Sequence, residues 1–350
     1  MNNVVRVSIF NFVYRSIRSL LIASAIVAIA VVTTSLAYAQ DEFHNGKVVR
    51  YLVGSKLGGG YDRSARLVAP YLEKYLPSNE VTVLNRPKSS GIGSVNKLAN
   101  TSFKKSSSIM LFNTGLLLTQ IGANPGLKAD FSKFNFVGKA TSEARYLVVS
   151  SSSKINSFDE LIESDRELKF AAPTVGTASY IQTAMLTDVF NLPVRILTGF
   201  SSKESTAAMI KGEIDGVFIS ESNVAKVIKI GAGIPILRFG ESHSSQYASV
   251  ESGSSIAHSD EQKLFVSQVE IMTELGRVTL APADIAEKEL KTLQTAYQNA
   301  LTDVELLDEA TTLGITIDML PGPEVQELVK SFLNAPESFQ KLVQKAYTIQ

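Results

Sequence analysis

The chain has 350 residues, with 34 basic and 34 acidic side chains and no cysteine. Balanced charge argues against nucleic acid, which requires a basic face. Without cysteine there is no disulfide, no thiolate nucleophile and no sulfur-ligated metal. A chain this long can bury a sizeable core without covalent staples, and its length suggests two domains.

Arg6, Arg15 and Arg18 precede the apolar run Leu20 to Val32, and Ala37-Tyr38-Ala39 follows as an A-x-A site. A positive n-region, an apolar h-region and small residues at a cut point describe a secretory signal peptide over residues 1–39. The run is short for a membrane span, which needs about 20 apolar residues. The long n-region leaves an uncleaved anchor as the alternative. Removal of this leader takes away three arginines and no acid, so the remainder is weakly acidic.

From Val48 onward, strand and helix patterns alternate. The run Val48 to Val53 is followed by Gly58-Gly59-Gly60-Tyr61-Asp62, after which Ala65, Leu67, Val68, Tyr71, Leu72 and Tyr75 recur at helical spacing. Strands are expected at Val81 to Leu84, Ile109 to Phe112, Phe134 to Gly138 and Arg145 to Val149. The middle third repeats the plan, with strands at Leu168 to Ala171, Val194 to Leu197, Ile214 to Ile219 and Ile234 to Phe239. The serine-rich segment Gly240 to Ser259 reads as a surface loop, and the remainder reads as mostly helical. Such alternation predicts an α/β fold with parallel sheets covered by helices.

The strand-to-helix junctions carry the chemistry. Three lie in the first half: Gly58 to Asp62, Pro87-Lys88-Ser89-Ser90-Gly91 and Asn113-Thr114-Gly115. Two lie in the second half: Thr174-Val175-Gly176-Thr177-Ala178-Ser179 and Gly199-Phe200-Ser201-Ser202. In open α/β sheets ligands bind beyond the carboxyl ends of the strands, where these loops collect. The site they imply is rich in backbone N–H groups and hydroxyls and suits a small carboxylate, with no metal or arginine clamp required. The triple glycine matches neither nucleotide fingerprint. Asp62 reads either as an acceptor for a ligand or as the acid that holds its own loop. The three histidines (His44, His243, His258) lack metal-ligand spacing, and there is no G-x-S-x-G elbow.

Leu57-Gly58-Gly59-Gly60-Tyr61-Asp62 with Ala65-Arg66, then Asn85-Arg86-Pro87 and Gly91-Ile92-Gly93, resembles the extracytoplasmic solute-binding receptors of tripartite tricarboxylate transporters, the Bug proteins. Gly176-Thr177-Ala178-Ser179, Gly212 to Gly216 and Ala281-Pro282-Ala283 extend the resemblance along essentially the whole mature chain. It implies a two-lobed, Venus-flytrap periplasmic binding protein of the second structural class, each lobe a mostly parallel sheet flanked by helices. One lobe would comprise 46–144 plus 275–350, the other 145–274. It also implies a periplasmic monomer without catalysis or cofactor, capturing a small di- or tricarboxylate for the membrane permease subunits of the transporter. Ligand contact carries over to Gly58, Gly59, Gly60, Tyr61, Asp62, Ser89, Ser90, Gly91, Asn113, Thr114, Thr174, Gly176, Thr177 and Ser179, with Phe200 and Asp215 near the cleft. Lys88, Ser89 and Phe200-Ser201 depart from the family pattern, which bears on which acid is held. An exported hydrolase or transferase on a similar scaffold, or a sensor partner of a membrane kinase, are the alternative functions.

Overall fold

The computed structural model describes residues 48–76 and 80–348; the leader expected over 1–39, His44, and the side chains of Ser89 and Ser90 lie outside the described residues. The first strands are β1 (Val49–Val53), β2 (Val81–Asn85), β3 (Ser108–Leu111) and β4 (Asn135–Lys139). Then come β5 (Arg145–Ser150), β6 (Leu168–Ala172), β7 (Val194–Thr198), β8 (Gly216–Ser220) and β9 (Gly233–Phe239). The chain ends its strand content with β10 (Val278–Ala281) and β11 (Leu320–Pro321).

These strands form two sheets, ordered β11-β4-β10-β3-β1-β2 and β7-β6-β8-β5-β9. In the first sheet β1 is parallel to β2 and β3, while β10 runs antiparallel to β3 and β4. In the second, β6 is parallel to β7 and β8, while β5 runs antiparallel to β8 and β9. Both sheets are therefore mixed, where mostly parallel ones were expected. The physical reason is how the chain changes sheets. It leaves the first through 140–144 and returns through Gly276-Arg277, and the strand after each crossing enters its new sheet antiparallel to its neighbours. The returning strand β10 has only four residues before Pro282, too short a run to stand out beside the helices around it.

The two crossings are stitched to each other. Ala140 N–H donates to the Arg277 carbonyl at 2.9 Å, Arg277 N–H to the Thr141 carbonyl at 2.8 Å, and Glu143 N–H to the Thr273 carbonyl at 2.9 Å. Gly276 has φ +27°, and a Cβ there would lie 2.2 Å from the Thr141 carbonyl oxygen, so only glycine fits beside the other crossing.

Helices cover both sheets. Gly60–Tyr75 buries Ala65, Leu67, Val68 and Leu72, and Asp260–Leu275 opens with a capping box of Ser259 and Gln262. One apolar cluster runs through both sheets, with Met110, Phe136 and Leu280 from the first and Leu147, Phe170 and Phe218 from the second. The last helix, Glu337–Ala346, links them further. It packs on Leu116–Ile121 after β3 and also on Ala178–Val189 after β6.

Candidate functional site

The carboxyl ends of β1, β3, β6 and β8 face one another across the seam between the sheets, together with both crossings. At the end of β1, Asp62 is 2 % exposed and is committed to its own loop. Its Oδ2 accepts from Gly58 N–H at 2.8 Å, and its Oδ1 accepts from the Asn85 amide at 2.8 Å and from Arg66 Nε at 3.0 Å. Burial pushes the carboxyl up, but those three donors outweigh it and hold Asp62 below its ordinary value. Asp62 is therefore the brace of the glycine loop. Asp62→Ala is expected to lower unfolding free energy by about 2 kcal/mol, read as a shifted denaturant midpoint, with Asp62→Asn recovering part of it.

The braced loop aims Tyr61 at the seam. Its hydroxyl donates to Asn113 Oδ1 at 3.3 Å, and Arg277 lies over its ring at 3.9 Å from the centroid. Asn113 Oδ1 also accepts from Gly115 N–H at 3.0 Å, which shapes the turn after β3. Gly115 touches the other half directly: a Cβ there would lie 2.4 Å from the Ala178 Cβ. On that side Thr177 caps Ala178–Val189, its Oγ1 accepting from Tyr180 N–H and donating to the Thr174 carbonyl. Gly176 packs against Tyr347, with a would-be Cβ 3.0 Å from the ring.

Three charged residues that sequence reasoning did not single out join these loops. Arg277 Nη2 pairs with Glu143 Oε2 at 2.5 Å, with side chains only 7 % and 14 % exposed. Glu143 Oε1 accepts from Ser222 Oγ at 2.7 Å. Burial opposes its charge, but Arg277, the Ser222 hydroxyl and Arg145 together hold the carboxyl below its ordinary value. Arg277 is also opposed by burial, yet Glu143 and Tyr61 leave it above its ordinary value. Arg145 donates from Nη2 to Ser179 Oγ at 2.9 Å and to the Phe218 carbonyl at 3.1 Å, and its guanidinium lies 5.1 Å from the centre of the Phe218 ring. Burial lowers it to about 10, with Glu143 working against that, so it stays cationic at neutral pH. Glu143 and Arg145 bracket Ala144 where small residues give way to a strand, and Arg277 follows a glycine before another. A charge at each sheet crossing was the available signal.

The structure brings Gly60, Tyr61, Asn113, Gly115 and Ser179 into one ring with Arg145, Glu143, Arg277 and Ser222, while Thr177 bonds within its own turn and helix start. Gly58, Gly59, Thr114 and Gly91 stand in the loops behind it. Asp215, expected near the cleft, lies elsewhere. It precedes β8, which reaches the seam only at Ser220, and it is bound to Arg166 Nη2 at 2.6 Å and Lys169 N–H at 2.8 Å. The resemblance implied a place near the cleft, whereas Asp215 stands at the amino end of its strand. Phe200, beyond the edge strand β7, packs on the small apolar cluster of Ala171, Ala208 and Val217.

A groove of about 1010 Å³ meets the ring at Gly60, Glu143, Ser222 and Arg277 and is also lined by Tyr247 and Leu313, whereas Tyr61, Asn113, Ser179 and Arg145 do not line it. Beside it the crossing is held by Lys139, which is 0 % exposed and pairs with Glu274 and, at 3.0 Å, with Asp318. Ser142 Oγ donates to Asp318 at 2.7 Å and lies 3.0 Å from His243 Nε2. Among the described residues no group of three His, Cys, Asp or Glu side chains could hold a metal ion, and no helix is long and apolar enough to cross a membrane.

No protein-family model and no curated protein matches the chain. Solved structures do. The periplasmic binding protein BugD superposes with a TM-score of 0.66 at 15% identity, covering 87% of this chain and 98% of its own. A TctC solute-binding protein from Polaromonas gives 0.65 at 14%, covering 86% and 99%. MatC from Rhodopseudomonas palustris, solved with bound malate, gives 0.64 at 16%, covering 85% and 99%. The chain has the two-lobed α/β fold of these periplasmic solute-binding proteins.

Proposed function

We propose that the chain is a solute receptor of the Bug type, capturing a small organic acid between its two halves and presenting it to the permease subunits of a tripartite tricarboxylate transporter. The observation that carries this reading is the ring of donors across the seam. Tyr61 and Asn113 come from one sheet, Ser179 and Arg145 from the other, and Arg277 from the crossing between them. A carboxylate held there contacts both halves at once and stabilises the closed arrangement over the open one. That differential affinity shifts the population toward the form a permease recognises. The site's work is recognition without bond breaking, and an export leader over 1–39 accords with a periplasmic role. The halves of the receptor are proposed to divide at the two crossings, 140–144 and Gly276-Arg277.

A thermal-shift panel of succinate, malate, adipate, citrate, glutamate and benzoate tests the reading on ligand-stripped protein. At 100 times its Kd a bound acid contributes about 2.7 kcal/mol and raises the melting temperature measurably. A panel in which no acid stabilises the protein overturns the proposal.

A further inference from the structure

Among the described ring residues, Arg145 carries the buried side-chain nitrogen that has no hydrogen-bond partner. Its Nη2 serves Ser179 and the Phe218 carbonyl, but its Nε is buried with no partner, and its Nη1 bonds no described residue. Arg277 is occupied by contrast, with Glu143 on one side and the face of Tyr61 on the other. Glu143 is in turn committed to Arg277 and Ser222. The ring thus holds two guanidinium groups against one carboxylate, and the surplus positive charge lies at Arg145.

A second observation lies beside it. Ser179 belongs to the first turn of the twelve-residue helix Ala178–Val189, where the capping Thr177 oxygen takes the Tyr180 N–H. The N–H groups of Ala178 and Ser179 have no partner among the described residues. The Ser179 hydroxyl, which accepts from Arg145 Nη2 at 2.9 Å, links the guanidinium to this helix start, and both groups favour an anion.

We infer that Arg145, together with the start of helix Ala178–Val189, receives the acid group of the solute, and that this point is built for one negative charge: a carboxylate rather than a phosphate. The inference rests on the receptor reading and assigns its specificity to a residue outside the glycine loops. A carboxylate offers two oxygens in the plane of the guanidinium and cancels its surplus charge. A phosphate dianion leaves one negative charge uncompensated in a site already holding Glu143.

The test is calorimetry on the full chain with acid and neutral amide pairs: succinate with succinamide, adipate with adipamide, benzoate with benzamide, and inorganic phosphate as a further probe. For the pair whose acid binds best, the wild type is expected to prefer acid over amide by at least about tenfold. In Arg145→Gln that preference collapses toward one, and in Arg145→Lys part of it survives, because a lysine keeps the charge but loses the planar fork. A structural role alone would weaken acid and amide equally and leave the ratio intact. An unchanged ratio in Arg145→Lys and Arg145→Gln, or tighter binding of phosphate than of any acid, overturns the inference while the receptor reading stands. Binding of no acid by the wild type overturns both.

Discussion

Replacing Glu143 with alanine is expected to lower the unfolding free energy by about 3–5 kcal/mol, the cost of leaving a buried charge without its counter-ion. Arg277 is the charge in question. Its side chain is 7 % exposed, its backbone stitches the two crossings together, and its guanidinium has only Glu143 as an anionic partner within salt-bridge distance among the described residues. Chemical denaturation followed by circular dichroism measures the loss. Arg277→Ala combined with Glu143→Ala should cost less than the sum of the two singles, because the second change removes an already orphaned group. The pair also sets a pH dependence. Folding holds the Glu143 carboxyl below its ordinary value of 4.5. Its contribution is therefore complete above that value and is lost as pH falls through the lower, folded-state value. The stability gap between wild type and Glu143→Gln should accordingly be widest near neutral pH and narrow below 4.5.

Gly115→Ala is expected to weaken binding of the acid identified in the thermal panel by about tenfold to a hundredfold. The Cβ it adds would lie 2.4 Å from the Ala178 Cβ and 3.1 Å from Asn113 Oδ1, so the halves cannot meet there without displacing one another. Relieving the clash parts Leu116–Ile121 from Ala178–Val189, which share the core and the cover of Glu337–Ala346, so a lowered melting temperature is expected beside the loss of affinity. Adding Ala178→Gly to the same chain should restore most of the binding. Unchanged affinity in Gly115→Ala would show that this contact is not part of the ligand-bound form.

How far the sequence foretold this arrangement depends on what kind of signal each part leaves. Junctions such as Gly58 to Asp62 and Thr174 to Ser179 were legible because glycine, a capping hydroxyl and an abrupt change of period mark a strand feeding a helix. Asp62 left two readings open, and only the positions of Asn85 and Arg66 show that it braces its loop. Strand β10 was illegible: four apolar residues among long helices carry too little periodicity, and with it went the mixed character of the first sheet. Arg145, Glu143 and Arg277 were illegible for a different reason. Their partners lie in other segments, so each stood in the sequence as one cation or acid among many. Asp215 shows the converse, a motif that was plain while its place in the strand was not.

The helix Glu337–Ala346 has a practical corollary for anyone building chimaeras. It packs on Leu116–Ile121 and on Ala178–Val189 at once, with Lys345 reaching Asp188 at 2.6 Å. Cutting at the two crossings to transplant the second sheet with its helices into another receptor would strip Ala178–Val189 of this cover. A graft meant to move ligand preference must therefore carry the last helix along, although it is distant in sequence. In this chain the transplantable unit is a set of packed surfaces, and it is not a contiguous stretch of residues.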